Sequence, residues 1–368
     1  MYPCEVHCHL GPLAKEMFVL CRPDAADKSI VGQTEFVYRL LLDAVQKEGG
    51  SAEHILREMV FFRNIQRDLG PFQKARGMNT LYAPAATFIE QTPANESALI
   101  EVLAYALIPR SGSLESHSVA QFGRVFLLGG FKHVFLANIC GLPGNAEDEA
   151  HSMFKAAGER LQEEHLRFPN VIRTWIHLRD IDRDYEQLNR GRTRYFREQG
   201  LALPPASTGI GGTPPLQTQR MCLSLYAMER GGGEIHSMST PTLNEAWMYG
   251  SDFSRGVKVV GGNGVNLFIS GTASVDDKGR TIHENDFKAQ AERMILNIST
   301  LLENQNASWR DVVSAITYLK DPADAQCLLE VFKRRDIDGF PNVIVQAIVC
   351  RPDLLCEMEA IAILPLSP

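Results

Sequence analysis

Glu357 and Glu359 stand two residues apart in Cys356-Glu357-Met358-Glu359-Ala360-Ile361, an otherwise apolar run near the end of the 368-residue chain. Side chains two apart in a strand point the same way, so the two carboxylates share one face. A carboxylate on an apolar wall loses hydration. Its charged form is then disfavoured, and its pKa climbs towards the range where it can donate a proton at neutral pH. A half-exposed antiparallel strand also alternates in this way, with one face simply wet. The elements around the pair decide between these readings.

Those elements form a repeat. Leu267 to Ser270 reads as a strand, Asp286 to Glu303 as an amphipathic helix, Asp311 to Lys320 as a strand and Ala323 to Arg334 as a second helix. Val343 to Cys350 and Cys356 to Leu364 then read as a closing hairpin. Earlier in the chain, Met17 to Cys21, Gln33 to Glu48 and Ile55 to Arg63 give strand, helix and strand, with Thr87 to Gln91 and Ala98 to Ala106 as the hairpin. Gln33 and Glu101 are 68 positions apart, and Gln290 and Glu357 are 67 apart, so the two copies share length as well as order. A middle copy runs through His133 to Cys140, Ala146 to Glu164, Val171 to Leu178, Tyr185 to Gln199 and Arg220 to Met228. Arg110-Ser111-Gly112-Ser113 and Gly231-Gly232-Gly233 read as linkers. The expected units are a degenerate one at 1–110, a middle one at 125–230 and a C-terminal one at 255–368. Three units of one topology predict a pseudo-threefold assembly within one chain, hence a monomer.

Composition narrows the function. A net charge of −7 argues against a nucleic-acid surface. No apolar run approaches the roughly 20 residues of a membrane span, and Met1-Tyr2-Pro3-Cys4-Glu5-Val6-His7 lacks the features of a signal peptide. The eight cysteines are scattered, several in apolar strand-like runs, as expected of reduced thiols in a cytoplasmic protein. Cys4, His7, Cys8 and His9 are metal-ligand types, but strand alternation separates the cysteines from the histidines and no second ligand pair follows. No metal site is expected.

The third unit resembles the RidA (YjgF) superfamily through Ser270-Gly271, Gln290, Asn297, Val312-Val313 and the ending Glu357-Met358-Glu359-Ala360-Ile361-Ala362, with similarity over residues 255 to 366. The resemblance implies an α+β protein of three fused RidA/YjgF-like (chorismate mutase-like) units, each a mixed sheet backed by two helices, with ligand clefts between units. RidA imine deaminases hold the substrate carboxylate with an Arg near the start of the penultimate strand. The corresponding positions here are Asn342, Ala85-Ala86 and Pro205-Ala206-Ser207, which disfavours that activity. The chain is more similar to the chorismatases, in which RidA units are fused. The matching stretches are Phe268 to Ser274, Thr281-Ile282-His283 and Cys350 to Glu359, with Arg173-Thr174-Trp175 and Asn189-Arg190-Gly191-Arg192 upstream. Before the third unit chorismatases carry Tyr-Gly-Pro-Arg-Ser-Pro-x-Phe-x-Arg, where this chain has the shorter Tyr249-Gly250-Ser251-Asp252-Phe253-Ser254-Arg255.

By that resemblance Glu357 is the catalytic acid, and Ala273 and Cys350 face the substrate. Chorismate carries two carboxylates and an enol ether, so a site for it needs cationic anchors and a proton donor but no metal or organic cofactor. Arg173, Arg192, Arg220 and Arg255 are the candidate anchors, with Tyr249 beside them. Thr208-Gly209-Ile210-Gly211-Gly212 reads as a loop whose Gly209 and Gly211 admit close approach of a ligand; it does not open a helix, so it is no dinucleotide fingerprint. The expected activity is cleavage of the enolpyruvyl ether of chorismate or a related small cyclic carboxylate. The alternatives are a non-catalytic small-molecule binder, or another hydrolase or deaminase acting on a carboxylated ligand.

Overall fold

The computed structural model describes residues 2–79, 83–120, 122–238, 243 and 252–366. The first unit runs β1 (Cys4–Leu10), β2 (Ala14–Cys21), α1 (Ile30–Lys47), β3 (Ile55–Phe62), α2 (Ile65–Asn79), β4 (Ala85–Glu90) and β5 (Ile100–Pro109). The second runs β6 (Ser116–Val119), β7 (Gly123–Leu128), β8 (Phe131–Ile139), α3 (Ala146–Glu163), β9 (Val171–Leu178), α4 (Ile181–Glu198), β10 (Ala206–Gly211) and β11 (Met221–Met228). The third runs β12 (Gly233–Ser237), β13 (Gly256–Gly261), β14 (Gly264–Ala273), α5 (Phe287–Glu303), β15 (Val312–Leu319), α6 (Ala325–Arg334), β16 (Asn342–Gln346) and β17 (Cys356–Leu364). The third sheet thus begins at Gly233, upstream of the expected 255.

Strand order repeats in all three sheets. It is β6-β7-β8-β11-β9-β10 in the second and β12-β13-β14-β17-β15-β16 in the third, while the first, β1-β2-β5-β3-β4, has no counterpart of the outermost strand among the described residues. The fold is therefore α+β, three fused units around a pseudo-threefold axis. The expected closing hairpin is not one: β16 pairs parallel with β15, and β15 separates it from β17. The same holds for β4 beside β3 and β10 beside β9. The intervening helix makes each pair a crossover unit, which forces parallel pairing. Alternation along a strand cannot distinguish that from a hairpin.

Local chemistry sets the helices. The side chains of Ser29, Asn145, Asp180 and Asp286 each accept a backbone N–H from the first turn, capping α1, α3, α4 and α5. Each sheet buries one face under its helices, where Val37, Leu41 and Val45, or Met294, Ile298 and Leu301, recur at helical spacing. Gln33 Oε1 accepts from Leu99 N (2.7 Å) and Gln290 Oε1 from Leu355 N (2.8 Å). Glu149 Oε1 does the same for Arg220 N (2.7 Å). These contacts tie the first helix of each unit to the start of the unit's last strand in sequence and account for the matched spacing. Helix α2 gave no sequence signal because Gly70, Pro71 and Gly77 interrupt it. Among the described residues no helix is long and apolar enough to cross a membrane.

Candidate active site

Strand β17 lies between β14 and β15, so Glu357 is flanked by Ala273 on one side and Tyr318 on the other. Glu359 occupies the same face, and the two carboxylates have opposite environments. Glu359 accepts from Trp175 Nε1 (2.5 Å) and Tyr318 Oη (3.1 Å), and its Oε2 pairs with Arg173 Nη2 at 2.9 Å. Glu357 is equally buried but has neither a hydrogen bond nor an ion pair among the described residues. Burial first, and repulsion from Glu359 second, push its pKa up to about 8, against the pull of Arg173, Arg255 and Arg351.

Glu357 forms the wall of a cleft between the second and third units, with about 240 Å³ of water-accessible space. The second unit contributes Tyr185, Asn189 and Arg192 from α4 and Ser207 and Gly209 from β10. The third contributes Phe253, Arg255, Ala273, Cys350, Arg351 and Leu354. Gly271 is a packing requirement, since a Cβ there would overlap Glu357 Oε1. The register of β14 against β17 shifts between Ile269 and Thr272, a bulge that turns this glycine to the carboxyl. Ser270 fixes the two units against each other: its Oγ donates to Ser254 O (2.6 Å) and accepts from Ser207 N (2.8 Å). Asn297 Nδ2 donates to the Ala273 and Val275 carbonyls (3.0 and 3.1 Å), holding the end of β14.

Three guanidiniums face this cleft. Arg192 and Arg255 flank the Phe253 ring at 5.7 and 5.5 Å. Arg192 Nη2 donates to Asn189 Oδ1 (2.8 Å), and Arg351 Nη1 donates to Gly279 O (2.6 Å). A carboxylated ligand fits this set because a guanidinium presents a fork of donors to a carboxylate. Cys350 is no nucleophile at neutral pH, since burial pushes its thiol up to about 12.

Of the residues singled out in the sequence, Glu357, Arg192, Gly209, Arg255, Ala273 and Cys350 come together here. Arg173 does not line the cleft. It is buried behind Glu357, donating to Thr208 Oγ1 (2.5 Å) and paired with Glu359, because a charge on an apolar strand persists only with a partner. Arg220 is held away by Glu149 (3.4 Å). Gly211 is packed against Ile348, whose carbonyl accepts its N–H (2.9 Å). The glycine-rich segment is strand β10, not a loop, and none of its glycines has positive φ; Gly209 is small because Tyr185 packs on it. Tyr249 lies outside the described residues. Tyr185, Asn189 and Arg351 were missed. The first two share one face of α4 with Arg192, at i, i+4 and i+7, a spacing visible in the sequence.

The counterparts of Glu357 in the repeat are Glu101, opposite Phe61, and Cys222, opposite His177. Burial pushes Glu101 up to about 7, but Arg22 lies 3.8 Å away. Sequence divergence among the units has thus left an unpaired carboxyl in an open cleft at Glu357.

Residues 250–364 match the family described as Endoribonuclease L-PSP. A RutC family protein of Pyrococcus abyssi is 36% identical over 111 residues, 30% of this chain and 84% of that protein. The 3-hydroxybenzoate synthase of Streptomyces hygroscopicus is 26% identical over 227 residues, 54% of this chain and 65% of that one. The crystal structure of a chorismatase superposes with a TM-score of 0.66 at 18% identity, covering 84% of this chain and 93% of the other. The RutC relative makes the chain a member of the RutC (RidA) family, and the repetition of strand order shows three units of one topology fused in one chain.

Proposed function

We propose that the chain is a cofactor-independent enzyme that cleaves the enolpyruvyl ether of chorismate or a closely related cyclic carboxylate, with Glu357 as the proton donor. The observation that carries this reading is a buried, unpartnered carboxyl raised to about 8 in a cleft faced by Arg192, Arg255 and Arg351. The likeness to a 3-hydroxybenzoate synthase and to a chorismatase supports the substrate class.

At neutral pH Glu357 carries its proton. Transfer to the terminal methylene carbon of the enol ether leaves an oxocarbenium centre on the ether carbon and a carboxylate on Glu357. Arg255 and Arg351, which already lower the pKa of that group, stabilise the new charge. Water adds to the cation to give a hemiketal that collapses with loss of a proton from its hydroxyl and departure of the protonated ring oxygen as an alcohol, or the ring carbon–oxygen bond breaks with loss of a ring proton; either way pyruvate leaves. The guanidiniums hold the substrate carboxylates, and Ala273 and Cys350 shape the wall beside the ring. The closed repeat makes the working form a monomer. The test is chorismate turnover by wild type and Glu357→Gln, with pyruvate measured. General acid catalysis contributes about 10²–10⁴, so the variant loses roughly 10²-fold or more while still binding chorismate. Wild-type protein that binds chorismate and releases no pyruvate is a binder, not an enzyme.

A further inference from the structure

A second cavity, about 110 Å³, runs along the pseudo-threefold axis, away from the cleft and lined by all three sheets. Its layers follow from register. Phe18, Phe135 and Phe268 pair with Tyr105, Tyr226 and Ile361 in the three sheets, so these six side chains form one belt. Successive rings touch: Phe18–Tyr105 at 5.2 Å, Tyr105–Phe135 at 5.7 Å, Phe135–Tyr226 at 4.9 Å and Tyr226–Phe268 at 5.5 Å. Two residues further along the strands, Glu16, His133 and Asn266 add a polar layer to the lining. Glu16 is already satisfied there by Tyr105 Oη (2.9 Å) and Asn263 Nδ2 (2.8 Å).

The lining also carries a cation. This is Arg57, with its guanidinium 3.7 Å from the Trp175 ring centroid and 5.9 Å from that of Phe135. Its hydrogen bond is to Met59 Sδ (2.7 Å), and among the described residues no carboxylate lies within 4 Å of it. Glu359, whose charge acts on it to raise its pKa, is engaged by Arg173, Trp175 and Tyr318. Burial correspondingly lowers the Arg57 pKa to about 10, which leaves it charged at neutral pH. A guanidinium drawn out of water with no carboxylate in direct contact is costly, and here it opens on a space rather than on packed protein.

We propose that the axial cavity binds a small aromatic monocarboxylate, the carboxylate on the Arg57 guanidinium and the ring within the belt of Phe18, Phe135, Tyr226 and Phe268. The belt supplies edges and faces for a ring, and the fork of Arg57 matches two carboxylate oxygens. The space, about 110 Å³, is somewhat below the roughly 150 Å³ of an apolar cavity that takes up benzene, so it limits the ligand to a single ring. The assignment does not rest on the chemistry proposed for the cleft.

Benzoate is the probe, with benzamide as its uncharged isostere, in calorimetric titrations of the full chain. Wild type is expected to bind benzoate at sub-millimolar concentration and benzamide at least about 10-fold more weakly. Losing charge-assisted hydrogen bonds weakens binding roughly 10- to 150-fold, so Arg57→Met reduces benzoate affinity by that factor. Arg255→Ala and Arg351→Ala, which alter the cleft, leave it unchanged. No benzoate binding, equal binding of benzamide, or loss of binding in the cleft variants instead of Arg57→Met would overturn the proposal. Should Arg57→Met fail to fold, Arg57→Lys keeps the charge but not the fork and is expected to weaken binding about 10-fold. A crystal structure of the unchanged protein with benzoate decides independently: density on the axis supports the assignment, and density only in the cleft refutes it.

Discussion

Replacing Glu357 by Gln removes a titration while keeping shape, and its effect on stability has a defined sign. The carboxyl lies near 4.5 in the unfolded chain and is pushed up to about 8 in the folded one. The folded state therefore holds this proton more tightly, and ionising the group costs stability progressively between those values. A span of about 3.5 pH units at about 1.4 kcal/mol each sets a ceiling of roughly 5 kcal/mol above pH 8. The variant pays no such cost. Its stability should match that of wild type at about pH 4, exceed it increasingly through neutrality and reach a constant advantage near pH 9. Urea-unfolding midpoints of the two proteins across that range measure the difference, in which all other titrating groups cancel. A flat difference, or a wild-type advantage that grows as pH rises, would mean that Glu357 is ionised and stabilised in the fold, and it could not then donate a proton at pH 7.

Other expectations follow from the same geometry. Arg173→Met strands Glu359 as a buried charge and should cost about 3–5 kcal/mol in denaturant unfolding, with Glu359→Gln in the same chain restoring much of the loss. Arg255→Ala and Arg351→Ala should each raise KM for chorismate roughly 10- to 150-fold, whereas Arg334→Ala, half-exposed on α6, should leave steady-state kinetics unchanged. Gly271→Ala should displace the Glu357 carboxyl and lower kcat by about 10²-fold or more, while Gly144→Ala, with only ordinary contacts, should not. Above about pH 8, kcat should fall as Glu357 loses its proton.

The repeat was legible because the amphipathic helices and apolar strands carry local periods, and because Gln33 and Gln290 are buried polar anchors at matched positions. Glu357 and Glu359 were legible as a pair on one face. Their division of labour was not, since it depends on Trp175 and Tyr318, 184 and 41 positions away from Glu359. Arg173 looked like a ligand anchor for the same reason: its partner lies on a different unit. Strand β10 was hidden by its glycines, which are present because Tyr185 and Ile348 approach from α4 and from the third unit. Arg351 lies in the matched stretch Cys350 to Glu359, between the two expected closing strands, where Glu357 and Cys350 drew the functional reading.

The central claim, that Glu357 protonates the enol ether carbon, is tested most directly by running the reaction on chorismate in D2O and trapping the pyruvate as lactate. The account predicts one solvent deuterium in the methyl group of the product from wild type, and pyruvate formation slower by roughly 10²-fold or more from Glu357→Gln. Pyruvate without deuterium, or undiminished pyruvate from Glu357→Gln, would contradict it.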